Sequence, residues 1–189
     1  GYGGGTGNME YESLTGFNMG NFLSALTPYT QVTSRYNFYP TIGMNFPYSS
    51  AIHPFNGTYY GRIDNYRRFK FNKFAYLGSK YKIYDKKSLG TSPYLSDETA
   101  YQNGLRQIKS RKNGQFINLI SMQNHMTYGD YYSPNEYKDN VSGSSLADDN
   151  VKTSFAAYTK GVEYTDKAVK KFIKEIDEIN KPITLVFYG

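Results

Sequence analysis

Three groups of residues in this sequence have the types and spacing to do chemistry. The run Gly3-Gly4-Gly5-Thr6-Gly7-Asn8-Met9-Glu10-Tyr11-Glu12 sets a hydroxyl in a glycine-rich loop ahead of a helix expected to start near Asn8. Free N–H groups at a helix N-terminus favour an anion, so a phosphate beside Thr6 would be well placed. The spacing is not that of a P-loop, because no Gly-Lys-Ser/Thr follows, and nucleotide triphosphate hydrolysis is unsupported. A threonine hydroxyl is a weak nucleophile until a base or a metal activates it. The chain's two histidines each follow an apolar run, His53 after residues 48–52 and His125 after residues 116–122. Imidazole is suited to proton transfer near neutral pH. The third group is a basic stretch over residues 62–87, with nine Lys/Arg against Asp64 and Asp85 and seven interleaved aromatics. That composition suits a polyanion, although no helix-turn-helix, RNP or zinc-finger pattern accompanies it to indicate nucleic acid.

The elements that must position these groups alternate. Ser96-Asp97-Glu98 opens a helix through Leu105 and Ile108, Asn113-Gly114 ends it, and residues 116–122 form a strand. A longer helix is predicted over residues 151–179, where apolar residues recur at three and four, with Asp148 and Asp149 at its start. After Asn180-Lys181-Pro182, residues 183–188 read as a short buried strand. Residues 48–52 are a weaker third strand, and residues 141–145 a surface loop. Helix and strand in alternation imply an α/β fold with a parallel sheet. Functional groups in such sheets collect at the carboxyl ends of strands, where both histidines fall.

Composition narrows the class. There are 189 residues with a net charge of +6, and the absence of cysteine excludes disulfides, thiolate metal sites and a cysteine nucleophile. The longest apolar runs are far shorter than the roughly 20 residues a membrane-spanning helix needs. The start lacks an initiator methionine and a signal-peptide pattern, and the end follows an apolar run directly. Both ends are therefore expected to be internal to a longer protein. Twenty-one tyrosines and no tryptophan supply amphipathic rings for a core or for stacking on a ligand.

Four segments taken in order resemble the extracellular catalytic domain of lipoteichoic acid synthases and related phosphoglycerol transferases, in the sulfatase/alkaline phosphatase superfamily. They are the Thr6 run continued through Ser13-Leu14-Thr15-Gly16, then Ile52-His53-Pro54-Phe55-Asn56-Gly57-Thr58-Tyr59-Tyr60-Gly61-Arg62, then Ile120-Ser121-Met122-Gln123-Asn124-His125-Met126, and finally Tyr164-Thr165-Asp166-Lys167-Ala168 leading to Val186-Phe187-Tyr188-Gly189. The resemblance implies a three-layer α/β/α sulfatase-like domain, incomplete at both ends, with residues 1–189 forming the central part of one domain. It implies that Thr6 coordinates a divalent metal, manganese first with magnesium or zinc as alternatives, and takes glycerol phosphate from phosphatidylglycerol as a covalent phosphothreonine. The group then passes to a glycolipid or polyglycerol phosphate acceptor. His53, Tyr59, Tyr60, Arg62 and His125 match the headgroup pocket, and Arg62 is expected to meet phosphate through its planar fork. The family's other metal ligands are a glutamate upstream of the threonine and an Asp-His pair after the last strand. Both fall outside this chain, so the 189 residues alone are expected to hold metal poorly. The segment 41–52 is about one helical turn shorter than in relatives, and Asn56 stands where relatives often carry an acid. The implied setting is the outer face of a Gram-positive-type cell membrane, with anchoring segments outside the chain and no nucleic-acid partner. A phosphoethanolamine transferase, a phosphodiesterase and a non-catalytic anionic-polymer-binding module are the alternatives. A sulfatase, which usually matures a Cys or Ser nucleophile, is disfavoured by Thr6.

Overall fold

In the computed structural model, described over residues 5–23, 26–31, 33–143 and 148–188, a parallel sheet of three strands lies between helical layers. Strand β1 (Ser49–Asn56) is central, flanked by β2 (Lys73–Leu77) and β3 (Phe116–Leu119). Register runs from Ser50 opposite Lys73 to His53 opposite Tyr76 on one side, and from Ser49 opposite Phe116 to Ile52 opposite Leu119 on the other. Both faces of β1 are covered, which is why residues 49–54 are all buried rather than alternating.

Neighbouring residues of β1 serve opposite layers. Ala51 packs into an aromatic cluster with Tyr11 and Leu14 of α1 (Thr6–Thr15), Tyr29 of α2 (Pro28–Gln31), Tyr66 of α3 (Arg62–Arg68), and Phe69. Ile52 faces the other way, toward Ala75 and Ile83. On that side α4 (Asp97–Lys109) and α5 (Asp149–Asp177) pack through Leu105, Ala168, Ile176 and the stacked rings of Tyr101 and Phe172, 5.0 Å apart. The start of α4 is fixed as its sequence predicts: Ser96 accepts from the Thr99 amide, Asp97 and Glu98 fill the first turn, and Arg106 and Lys109 the last. This is the expected three-layer α/β/α arrangement. Among the described residues no helix is long and apolar enough to cross a membrane.

Several boundaries differ from expectation. Strand β1 continues past Ile52 to Asn56, so His53 lies within the strand and not after it. Strand β3 stops at Leu119, while Ile120 and Met122 stay buried. Helix α1 begins at Thr6, two residues before Asn8. The basic stretch 62–87 contains α3 and β2, and Tyr66, Phe69 and Ala75 within it are core residues. Residues 183–188 do not form the expected buried strand. They run beside β3 outside the sheet, with Val186 73% and Phe187 67% exposed. Side-chain hydrogen bonds tie the chain at Lys181 and at Tyr188. Lys181 Nζ donates to the carbonyls of Ile108 and Arg111, and the Tyr188 hydroxyl accepts from Ser13 and donates to Asn118. The gap left is an apolar cavity of about 400 Å³ bordered by Phe116, Leu119, Phe172 and Ile183. Of the expected loop 141–145, residues 141–143 carry no helix or strand and the rest lie outside the described residues, as do Gly3 and Gly4 of the first motif.

Candidate active site

Thr6 is exposed at the first position of α1. Gly5 precedes it at φ 106°, a conformation that favours glycine, and offers no side-chain cap. The Gly5 carbonyl takes the amides of Asn8 and Met9, at 3.1 and 3.3 Å. The amides of Thr6 and Gly7 precede any intrahelical acceptor, as the first turn of every helix requires. One turn further, on the same face as Thr6, Glu10 is 2% exposed and fully engaged. It accepts from Arg62 Nε at 2.9 Å and Nη2 at 2.8 Å, and from the hydroxyls of Tyr29 and Tyr66 at 2.9 and 2.8 Å. Asn118 Nδ2 donates to the Tyr66 hydroxyl, tying the network to β3. Burial, with the Glu10 charge added, holds both tyrosine hydroxyls well above their usual range, so they act as donors. Burial alone would lower the Arg62 guanidinium; the facing carboxylate outweighs it and holds it raised.

The expected phosphate fork of Arg62 is therefore already committed. The side chain is 1% exposed, its Nε–Nη2 edge grips Glu10, and Nη1 lies 3.4 Å from His53 Nε2. His53 is fully buried, and its Nδ1 lies 3.0 Å from the Ile120 carbonyl. Burial first, and the Arg62 charge second, push the imidazole down to about 4, so it is neutral near pH 7. Its Nδ1 then carries the proton and donates to that carbonyl, which leaves Nε2 as the acceptor facing Arg62. Neither residue presents a free donor to solvent; both lie buried behind the Tyr60 and Phe55 rings.

The exposed face is aromatic. Tyr60 sits at φ 54°, ψ 21°, in the left-handed region, followed by Gly61 at φ 62°. Such a conformation costs a tyrosine about 1 kcal/mol. It is held by Asn65 Nδ2, which donates to the Tyr60 carbonyl at 2.9 Å, while Asn65 Oδ1 accepts from Thr33. The result lays the Tyr60 ring over the Arg62 guanidinium, 5.0 Å from centroid to Cζ, and against Gly7, where a Cβ would come within 3.0 Å of the ring. The residue before Gly7 is Thr6. Tyr59, 45% exposed, packs on Phe55, which contacts His53 on one side and Tyr94 on the other. Tyr94 in turn lies 5.6 Å from the exposed ring of His125 and donates to the Met126 carbonyl.

Five of the six residues expected from sequence, Tyr60, Arg62, His53, Tyr59 and His125, are linked through Phe55 and Tyr94 by successive side-chain contacts, and Thr6 lies one residue before Gly7, on which the Tyr60 ring packs. The sequence reading missed the members that hold this set together. Glu10 is i+4 from Thr6, a relation visible only once the helix is known to start at Thr6. Phe55 lies inside a quoted motif, Tyr94 carries no local pattern, and Thr165 acts at a distance. The Thr165 hydroxyl donates to Asp97 and accepts from Asn124 and Gln123, steadying the loop that carries His125.

The described residues do not fit a metal centre. No group of three or more His, Asp or Glu converges among them, and the carboxylate nearest Thr6 along α1 belongs to Glu10, already saturated by four donors. Thr6 is the single expected ligand present.

A parallel sheet between helical layers, with an exposed hydroxyl opening a helix, places the chain in the α/β/α class. The chain matches the sulfatase family over residues 1–189, and it belongs to that family. Among solved structures it is similar to the Streptococcus pyogenes phosphoglycerol transferase GacH in complex with sn-glycerol-1-phosphate, at 29% identity and a TM-score of 0.75, covering 96% of this chain and 47% of that one. It shares its fold with the lipoteichoic acid synthase LtaP of Listeria monocytogenes, at 24% identity and a TM-score of 0.62, over 92% of this chain and 40% of that one. A protein of Rhizobium meliloti (strain 1021), provisionally named a cyclic beta-1,2-glucan modification protein, is 28% identical over all of this chain and 28% of its own length. The chain thus spans less than half the length of each of these relatives.

Proposed function

We propose that the chain carries the donor pocket of a phosphoglycerol transferase, with Thr6 as nucleophile. One observation carries this reading: exposed Thr6 opens α1 next to Gly7, on which the Tyr60 ring packs, while ring contacts through Phe55 and Tyr94 link Tyr59 to His125, residue types that suit a glycerol phosphate headgroup. The likeness to GacH, solved with sn-glycerol-1-phosphate, supports it.

In this reading the Thr6 hydroxyl loses its proton to solvent as Oγ attacks the phosphorus of phosphatidylglycerol. The bond from phosphorus to the diacylglycerol oxygen breaks, and that oxygen takes a proton from the exposed His125 imidazole. Glycerol phosphate remains as an ester on Thr6 until an acceptor hydroxyl displaces it. The amides of Thr6 and Gly7 face the phosphate oxygens, and Tyr59 and Tyr60 pack on the glycerol. Arg62 and His53 act from behind, setting the position of Tyr60 and of β1. The superfamily's divalent metal would activate the hydroxyl, but its ligand set is not among the described residues. Manganese is our choice of ion, with the remaining ligands supplied by the longer polypeptide. The donor lipid places the reaction at the outer face of a membrane, and the acceptor is a glycolipid or polyglycerol phosphate.

The test follows headgroup-labelled phosphatidylglycerol with the longer polypeptide that includes the flanking ligands. Diacylglycerol release and label on the Thr6 peptide are both expected, and both vanish in Thr6→Ala while the circular dichroism spectrum is unchanged. Release that persists in Thr6→Ala overturns the assignment.

A further inference from the structure

At the opposite end of the sheet the basic stretch acquires a structure that the transferase reading does not use. Residues from the start of β2, from the segment after it and from the last turns of α4 enclose a cleft of about 480 Å³ whose floor is Ile52 and Ala75. Four cations line it: Lys73, Lys82, Arg106 and Arg111. Each lies over a tyrosine ring, Arg111 over Tyr48 at 3.9 Å, Arg106 and Lys82 over Tyr84 at 4.9 and 5.0 Å, and Lys73 over Tyr81 at 5.7 Å. Stacking of this kind fixes the direction of a cation without neutralising it.

Carboxylates are scarce there. Of these four cations only Arg106 has an acidic partner among the described residues, Asp85, and that pair is more than half exposed on both sides. The two side-chain amides that line it, Asn103 and Gln107, are already engaged within the protein. Asn103 clamps the backbone of Tyr84 through Oδ1 and Nδ2, and Gln107 accepts from Lys73 and donates to Gln115. The walls are therefore fixed and the unsatisfied chemistry is cationic. Lys73 is half-buried, and desolvation holds its ammonium below the usual lysine range, a cost that an entering anion would relieve. Ring faces are occupied by the cations, so the cleft is built for an oxyanion and not for stacking a base or sugar.

We propose that this cleft is a second phosphate-binding site, separate from the Thr6 pocket, taking a phosphate group held by Lys73, Lys82, Arg106 and Arg111. A phosphomonoester, or one unit of a phosphodiester polymer, would meet it through the same chemistry. The site does not depend on Thr6 or on any transfer activity.

The test is an NMR titration of the purified protein at low salt with inorganic phosphate, glycerol 1-phosphate and a short-chain polyphosphate. Each probe is expected to shift the side-chain resonances of the four cations and the amides of Tyr84 and Arg111. Lys82→Glu/Arg111→Glu weakens binding about tenfold or more, and Lys82→Gln/Arg111→Gln weakens it less. Arg67→Glu, an exposed charge on α3 outside the cleft, changes it by less than about twofold. Polyphosphate binding more tightly than glycerol 1-phosphate supports a polymer unit, and equal affinities support a phosphomonoester. If Arg67→Glu weakens binding as much as one cleft substitution does, the attraction is diffuse charge and the proposal fails. It fails equally if no probe shifts these resonances. Because all four cations lie away from Thr6, a negative result here leaves the transferase reading standing.

Discussion

At the carboxyl end of β1, Arg62 meets a carboxylate at 2.8 Å and is 1% exposed; at the amino end, Arg111 meets a tyrosine ring at 3.9 Å, has no carboxylate partner among the described residues, and stands in solvent. Both are guanidinium groups beside tyrosine rings, yet they do different work. A buried guanidinium whose charge is matched can define geometry, because moving it exposes a carboxylate and a cation to low dielectric. An exposed, stacked and unmatched one keeps its charge available to a ligand. Burial and pairing, more than residue type, separate an architectural arginine from a binding one.

The largest expected effect breaks the buried end. Removing one partner of a buried, hydrogen-bonded pair leaves the other uncompensated and typically costs about 3–5 kcal/mol. Arg62→Met strands Glu10 with only two tyrosine hydroxyls, and Glu10→Gln strands the guanidinium. Urea unfolding of each is expected to show a loss in that range, with the double variant recovering part of it. A loss below about 1 kcal/mol would put this pair on the level of a surface ion pair and erase the contrast between the two ends.

Next in size is a pH effect at the same end. His53 is down at about 4 in the folded protein against an ordinary 6.5, so between those values the unfolded chain binds the extra proton. Stability from this group is complete above pH 6.5 and is lost as pH falls toward 4, by roughly 3 kcal/mol over the window. Carboxylates paired in the fold, such as Glu98, also weaken at the acid end, so the readout is a difference. Urea midpoints of the protein should fall more steeply from pH 7 to pH 4 than those of His53→Gln. Parallel curves would mean that His53 takes up its proton in the fold over the same pH range as in the unfolded chain, and that its burial does not hold it neutral.

These two ends were unequally legible in the sequence. Thr6, His53 and His125 stood out because few residue types do their chemistry, and Ser96 and Asp148 announced helix starts because a cap is a local device. Arg62 was legible as important but not as buried, because its partner Glu10 lies 52 positions away on another helix. Strand β2 was hidden because Lys73-Phe74-Ala75-Tyr76-Leu77 sits in a charged stretch whose lysines line a cleft while its apolar residues enter the core. Residues 183–188 misled in the opposite direction. Their composition is that of a buried strand, but a strand is made by its neighbour, and among the described residues no backbone ladder pairs this segment with β3.

The smallest expected effect sharpens the exposed end. Asp85 pairs with Arg106 through Nε at 3.0 Å and Nη2 at 2.7 Å, both side chains being more than half exposed, and its backbone lies at φ 49°. Asparagine tolerates that left-handed backbone as well as aspartate does, and the Asp85 carbonyl contact with Thr99 is untouched by the change. Asp85→Asn should therefore alter stability by no more than about 0.5 kcal/mol. The guanidinium, still seated over Tyr84, would lose its only competing anion, so phosphate affinity in the cleft should rise about threefold. The two readings come from urea unfolding and from the same NMR titration. A stability loss above about 1 kcal/mol would make Arg106 an architectural residue like Arg62, whereas unchanged stability with unchanged affinity would remove Arg106 from the phosphate site and leave it to the other three cations.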